Sequence, residues 1–185
     1  MTGVQTCALP IYLILGGRYN YVEADAGVAE DPDTGNATSF EQDWDSVIGS
    51  ARVLWHVDAE KHWNLWAGVS QAFRAPNLSD LTRLDSARSN EFETGSTNLE
   101  PEEYVSYEFG LKTRYDHVTA TASYFYNDID GMILRSPTGQ TNADGEVIVT
   151  KSNAGDGYVH GVELAGRWRF HPQFTLFGAG TILYG

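Results

Sequence analysis

The sequence predicts an all-β chain, an antiparallel up-and-down sheet of about seven long strands that walls part of a transmembrane β-barrel. Three observations predict it. Apolar and polar residues alternate with the two-residue period of a strand. The alternating runs reach about 11 residues, whereas globular strands commonly hold about 5–6 and a tilted strand crossing a bilayer needs about 9–11. Finally, long loops and short turns follow one another along the chain, as they do in outer-membrane barrels.

In chain order, Tyr12 to Glu23 sets Leu13, Leu15, Tyr19 and Tyr21 against Arg18 and Asn20. An acidic loop of about twenty residues is expected next; between Glu23 and Asp45 the chain has eight carboxylates and no Lys or Arg. Val47 to Val57 places Val47, Ala51, Val53, Trp55 and Val57 opposite Ser50, Arg52 and His56, and Asp58 to His62 forms a short turn. The Trp63 strand runs into Phe73-Arg74-Ala75-Pro76, where a proline without an N–H ends the ladder. A polar loop follows, with a helical turn expected over Ser79 to Leu84, capped by Asn77 or Ser79. Asn98-Leu99-Glu100-Pro101-Glu102 leads into the Val105–Tyr115 strand.

Asp116-His117 is a two-residue turn, and Val118 to Tyr126 alternates again. Met132 to Thr150 reads as a hairpin within a long loop, turning near Asn142-Ala143-Asp144-Gly145. Val159 to Phe170, a turn at His171-Pro172-Gln173 and Phe174 to Tyr184 complete the chain.

From Val47 to Phe170 no charged residue occupies the apolar parity of the five strands, where only Gln71 and Thr113 are clearly polar. The opposite parity holds Arg52, Arg74, Glu108, Lys112, Arg114, Glu163, Arg167 and Arg169. A lysine or arginine at the bilayer midplane costs about 2–4 kcal/mol, so a lipid-facing side must be free of them. Aromatic residues of the apolar parity (Trp55, Trp63, Tyr115, Trp168, Phe170 and Phe174) gather beside the short turns, as suits a membrane interface. The turns at Asp58, Asp116 and His171 are then expected to be periplasmic and the long loops extracellular.

A strand ending in Phe73-Arg74-Ala75-Pro76-Asn77-Leu78, followed by Asn98-Leu99-Glu100-Pro101-Glu102 and Tyr107-Glu108-Phe109-Gly110-Leu111-Lys112, resembles the barrel of TonB-dependent outer-membrane receptors. Asn153-Ala154-Gly155 and Gly161-Val162-Glu163-Leu164 resemble a further signature of that family. The resemblance implies a receptor in the outer membrane of a Gram-negative bacterium, its barrel filled by an N-terminal plug and driven by TonB. It implies import of a scarce small-molecule nutrient, with ferric siderophores ahead of cobalamin or oligosaccharides. Haem-uptake members place a histidine between the two boxes; residues 77–97 have none, which argues against haem. Residues 12–185 are accordingly expected to be a partial barrel without its plug.

Arg74, Glu108, Lys112, Arg114, Glu163, Arg167 and Arg169 are the candidate lumen residues. They either face the plug, pair across strands, or line the substrate path. Arg74 is read first as the ion-pair partner of a neighbouring carboxylate. Asp31 to Asn36 faintly resembles a calcium loop but lacks the glutamate spacing of an EF-hand. His56, His62, His117, His160 and His171 stand near turns or loops. No catalytic constellation, metal-ligand spacing or cofactor motif is present, and an enzyme is not expected.

Composition supports these readings by exclusion. The 185 residues carry a net charge of −13, which argues against nucleic acid as a partner. No apolar run reaches the about 18 residues of a membrane helix. Met1 to Ile11 is similar to a translated sequencing-library adapter, lacks the features of a signal peptide and contains Cys7, the single cysteine. The natural start is therefore expected upstream. Two alternatives remain at this level. One is a soluble β-sandwich for carbohydrate binding or hydrolysis, since such a sheet also alternates. The other is a small plugless outer-membrane adhesin barrel.

Overall fold

A computed structural model describes residues 10–30, 36–88 and 90–185, without the side chains of Thr38, Ala87 and Arg88. Most of the adapter-like stretch and of the Asp31–Asn36 segment therefore lies outside the described residues. The strands are β1 (Ile11–Glu30), β2 (Ala37–His56), β3 (Trp63–Arg74), β4 (Asp85–Arg88), β5 (Glu91–Thr94), β6 (Glu102–Arg114), β7 (Val118–Thr141), β8 (Val147–His171) and β9 (Phe174–Tyr184), with one helix, α1 (Leu78–Thr82). They form a single open sheet in the order β1-β2-β3-β6-β7-β8, with β9 and β5 both paired to β8 and β4 beyond β5.

The seven wall strands are thus β1, β2, β3, β6, β7, β8 and β9, each antiparallel to its neighbours. Registers carry one parity across the whole sheet. The row Arg52↔Gly68↔Glu108↔Phe125↔Gly161 lies on the polar face. The row Val53↔Ala67↔Phe109↔Tyr124↔Val162 lies on the apolar face. A one-residue slip would exchange the faces, so the pattern pins the register.

Among the described residues no second layer covers the apolar face. Leu15 is 70% exposed, Val47 75% and Phe109 60%. A soluble sandwich would bury this face against another sheet, so that alternative is set aside. The lower aromatic band forms as expected: the Trp63 indole N–H donates to the Tyr115 hydroxyl at 3.0 Å, and Phe170 stacks on Phe174. An upper band is new. Tyr126 stacks on Tyr158, and His160 lies against Tyr126, Tyr158 and Tyr184. His160 thus joins this band from within the strand expected over Val159 to Phe170. Trp168 and Tyr158 are ten residues apart on β8, which at a tilt near 40° spans about 25 Å, the height of an outer-membrane apolar band. At its upper edge the same parity turns acidic at Asp128, opposite Tyr158, and above it at Asp45.

Two loop expectations are corrected. The acidic stretch after Glu23 is mostly strand: β1 and β2 pair from Ile11↔Trp55 up to Glu30↔Ala37. Backbone ladder bonds and the packing of Ala24 and Trp44 outweigh the like-charge rows Glu23↔Asp43 and Asp25↔Glu41. Residues 132–150 do turn at Asn142 to Gly145, but their arms are continuous with the wall strands β7 and β8. The sheet is also not purely antiparallel, because β5 pairs with β8 in parallel, Glu91↔Val147 to Thr94↔Thr150.

The small core sits at the top of the sheet. Ala24, Trp44, Leu81 and Leu99 are buried together, with Phe40, Phe73, Ala75 and Ile133 packed against them. It forms because residues 75–101 fold back across the sheet and bring α1 against β1, two strands away from β3. Asn77 starts α1 with a capping box: its side chain accepts from the Asp80 N–H, and the Asp80 carboxylate accepts from the Asn77 N–H. Gly95 lets the chain pass under the helix, since a Cβ there would stand 2.4 Å from the Leu81 carbonyl oxygen.

Candidate functional site: the charged face of the wall

The polar face divides into three tiers. The uppermost is a closed ion network built on three carboxylates. Arg74 leaves β3 where Pro76 ends the ladder, and it pairs with Asp80 at 2.9 Å and with Glu102 at 3.0 Å. Lys151 of β8 binds Asp80 at 2.6 Å and approaches Glu93 at 3.5 Å. Glu93 of β5 also receives Arg135 at 2.6 Å and Arg83 at 3.8 Å. The side chains of Asp80, Glu93 and Glu102 are only 5%, 1% and 8% exposed. Such burial is tolerable only because each carboxylate meets at least one cation. The Tyr104 hydroxyl and the Ile133 N–H complete the acceptor capacity of Glu102.

These groups stand above the upper aromatic band, where water reaches the rim. Burial pushes the Asp80 carboxyl up, but the Lys151 ammonium, the Asn77 N–H and Arg74 outweigh it and hold the group below the usual carboxylate range. Glu102 behaves alike: burial raises it, and Tyr104, the Ile133 N–H and Arg74 bring it net downward. Of the two sequence boxes, Phe73, Ala75 and Leu99 supply packing, while Arg74 and Glu102 supply the ion pair that joins the boxes. Between them, Asn153 of β8 accepts from the Glu100 N–H and donates to the Glu100 and Gly131 carbonyls, tethering Asn98-Leu99-Glu100-Pro101 to the wall.

The middle tier is one exposed pair. Arg52 on β2 reaches Glu108 on β6 at 3.3 Å across the whole width of β3. It can do so because the intervening residue of the row is Gly68, which puts no side chain in the way. The Arg52 guanidinium also lies 5.7 Å from the centre of the Trp66 ring. Trp66 lies flat on the sheet because Gly110 beside it has no Cβ; an added one would meet the indole at 2.5 Å. Glu163 makes no side-chain bond among the described residues.

The lowest tier holds Lys112, Arg114, Arg167 and Arg169, all exposed. Arg114 and Arg167 flank Thr119 in one row, Lys112 stands one row above, and Arg169 lies beside the Asp116-His117 turn. Arg169 donates to the Asp116 carbonyl at 3.3 Å. None of the four has an ion-pair partner among the described residues. A hollow of about 330 Å³ opens at this level between His56, Trp66, Lys112 and Arg114. The larger hollow of about 480 Å³ lies on the apolar face, lined by Ala120, Leu164, Gly166 and their neighbours, and has no titratable side chain.

The structure therefore pairs Arg74 with Asp80 and, through Asp80, links it to Lys151, Glu93 and Arg135, four residues that sequence reasoning did not name. Only Asp80 had a readable signal, the Asn-x-x-Asp spacing of a capping box. Asp58, Glu60 and His62 also cluster, with ligand-type atoms within 4.8 Å of one another. There Asp58 already accepts the His62 and Trp63 N–H groups and closes the turn.

An open antiparallel wall, apolar on one side and charged on the other, with strands long enough to pass a bilayer, defines a class: a large outer-membrane-type barrel. The chain belongs to the TonB-dependent receptor-like β-barrel family, whose model matches residues 9–184. Among curated relatives, it is 29% identical over 140 residues to the ferric enterobactin receptor PirA of Pseudomonas aeruginosa, covering 68% of this chain and 18% of that protein. It is 28% identical over 145 residues to the vitamin B12 transporter BtuB of Vibrio vulnificus, covering 78% of this chain and 20% of that protein. The crystal structure of the siderophore receptor PirA from Pseudomonas aeruginosa superposes with a TM-score of 0.68 at 23% identity, over 92% of this chain and 34% of that one. The matched part of this chain thus spans about a fifth of the length of its curated relatives.

Proposed function

We propose that this chain is the wall of an outer-membrane receptor that imports a scarce nutrient with energy delivered through TonB, with a ferric siderophore as cargo. One observation carries the reading: a face about 25 Å tall between two aromatic bands that carries no Lys or Arg, backed by a face that holds every Lys and Arg of the wall at that level. Hydrocarbon bathes the first face; the second lines a lumen that a plug domain fills in the intact protein. The barrel binds and admits its cargo and makes or breaks no covalent bond. A siderophore is favoured over haem because residues 77–97 have no histidine, and one curated relative is a ferric enterobactin receptor.

The test uses the full-length receptor in a Gram-negative host lacking its own siderophore receptors. It should sediment with outer membranes and restore growth on ferric catecholate under iron limitation. Uptake should stop when a protonophore collapses the proton gradient or TonB is deleted. Recovery in the soluble periplasmic fraction would overturn the membrane reading, and uptake indifferent to TonB would overturn the coupling.

A further inference from the structure

The sheet forks at its outer end. β2 pairs with β3 only from His56↔Asn64 up to Ser50↔Ser70, although β2 runs on with β1 to Glu30↔Ala37 and β3 runs on with β6 to Arg74↔Glu102. Above the fork, residues 18–30 and 37–48 are a two-stranded ribbon, with no other strand paired to it among the described residues. The fork lies level with Gln71, Val105, Asp128 and Tyr158, at the top of the apolar band. There the Gln71 side chain accepts the Gly49 N–H at 3.1 Å. Glycine marks the base of the ribbon on both strands: Gly16 faces Ser50 and Gly17 faces Gly49. A Cβ at Gly17 would meet nothing within 4 Å, so packing does not demand glycine at that position. Glycine inside a strand weakens it and often marks a bend.

A two-stranded ribbon is marginal without further packing, and this one also sets Glu23 against Asp43 and Asp25 against Glu41. Its support is the contact of Ala24 and Trp44 with Leu81 and Leu99 of the returning segment 75–101. That contact is apolar and incomplete. Trp44 is 7% exposed and its indole N–H has no acceptor; Gln42 Oε1 and Asn20 Nδ2, on the same face of the ribbon, are likewise buried without partners. Buried polar groups are nearly always satisfied, and parting the ribbon from the segment would let water reach all three. The opposite margin of segment 75–101 is fastened, Asp80 to Lys151, Glu93 to Arg135 and Glu100 to Asn153.

We infer that the ribbon is a hinged jaw. It swings about Gly17 and Gly49 between a closed state, seated on Leu81 and Leu99, and an open state that clears the lumen mouth beside β3. Segment 75–101 is the fixed jaw. The inference rests on the barrel reading above and adds which part of the mouth moves and where it bends.

Spin labels read the motion without altering the contact. They are placed pairwise on the full-length receptor in detergent, in a background free of other cysteines, through Glu41→Cys, Asp85→Cys and Asp144→Cys, all at exposed positions. The 41–85 distance should fall into two populations and the 85–144 distance into one. Gly17→Val, whose Cβ meets no neighbour, should stiffen the hinge and shift the first pair several-fold toward a single population. Joining Ala24→Cys to Leu81→Cys with a reducible cross-linker should cut uptake about tenfold, as for a gate held shut, and reduction should restore it. The same link between Thr94→Cys and Thr150→Cys, on the fastened margin, should leave uptake unchanged.

A single narrow 41–85 distance, or uptake indifferent to the link between positions 24 and 81, would overturn the inference. Two populations for the 85–144 pair would also overturn it, because segment 75–101 would then be the moving part. Where the buried pair of cysteines prevents folding, the label distances decide alone. Outer-membrane sedimentation and TonB-dependent uptake by the unsubstituted receptor report separately on the barrel reading, so the two can fail independently.

Discussion

The top and the bottom of the same charged face follow opposite rules. At the rim, Asp80, Glu93 and Glu102 are almost fully buried and are held by cations from four different segments. Near the short turns, Lys112, Arg114, Arg167 and Arg169 are exposed and have no ion-pair partner among the described residues. The rim spends its charge on its own architecture: it fastens residues 75–101 to the extensions of β7 and β8, and little is left over to attract a ligand. The lower wall leaves its charge unneutralised by the described residues of this chain. Charge content alone is thus a poor guide to a binding surface, and the useful quantity is charge that the fold has not already neutralised.

The contrast breaks most visibly at Glu93. In Glu93→Ala, Arg135, Lys151 and Arg83 lose their shared acceptor, and a buried pair broken on one side costs about 3–5 kcal/mol. The lower end, about 3 kcal/mol, is expected because those three cations still reach water. Hydrogen exchange on the refolded full-length receptor should quicken in β5 and the Val147–Lys151 part of β8. The membrane part of β8, from Val162 to Trp168, should stay protected. Uniform loosening of the whole sheet would mean that the rim is not a separate cooperative unit.

Acid probes the same clamp more gently. The carboxyls of Asp80 and Glu102 titrate below their usual range, so their stabilisation is fully present above the unfolded value near pH 4. It is lost as pH falls through the lower folded values. Exchange in residues 75–101 should therefore stay flat from pH 7 to about pH 5, after correction for intrinsic rates, and rise below about pH 4. A transition centred near pH 6 would point to a histidine and contradict the assignment.

How much of this was legible beforehand differs by region for physical reasons. The wall was readable from Trp63 to Phe170, because one lipid-facing side imposes a clean two-residue period. The pairing of Glu23–Glu30 with Ala37–Asp45 was not. Above the membrane the outward parity carries Glu23, Asp25, Glu41, Asp43 and Asp45, and acid there looks like loop. The cap at Asn77 and a carboxylate partner for Arg74 could be expected, though not that Asp80 supplies both. The contacts of Glu93 with Arg135 and Lys151 could not, since they join residues 42 or more positions apart on segments that read as loop. The parallel pairing of the four-residue β5 leaves no periodic signal at all.

The middle tier sharpens the comparison with the smallest expected effect. Arg52 and Glu108 are 57% and 41% exposed, so they should behave as a surface pair worth about 0.2–1 kcal/mol. A double-mutant cycle with Arg52→Gln and Glu108→Gln, read by the unfolding of the receptor in detergent, isolates that coupling from the separate contact of Arg52 with Trp66. The coupling should shrink between about 0.05 and 1 M salt, where the screening length falls to about 3 Å. A salt-insensitive coupling near 3 kcal/mol would place the pair in a dry environment. It would then belong with the rim as architecture, and the unpaired cations of β6 and β8 would stand alone at the lowest tier.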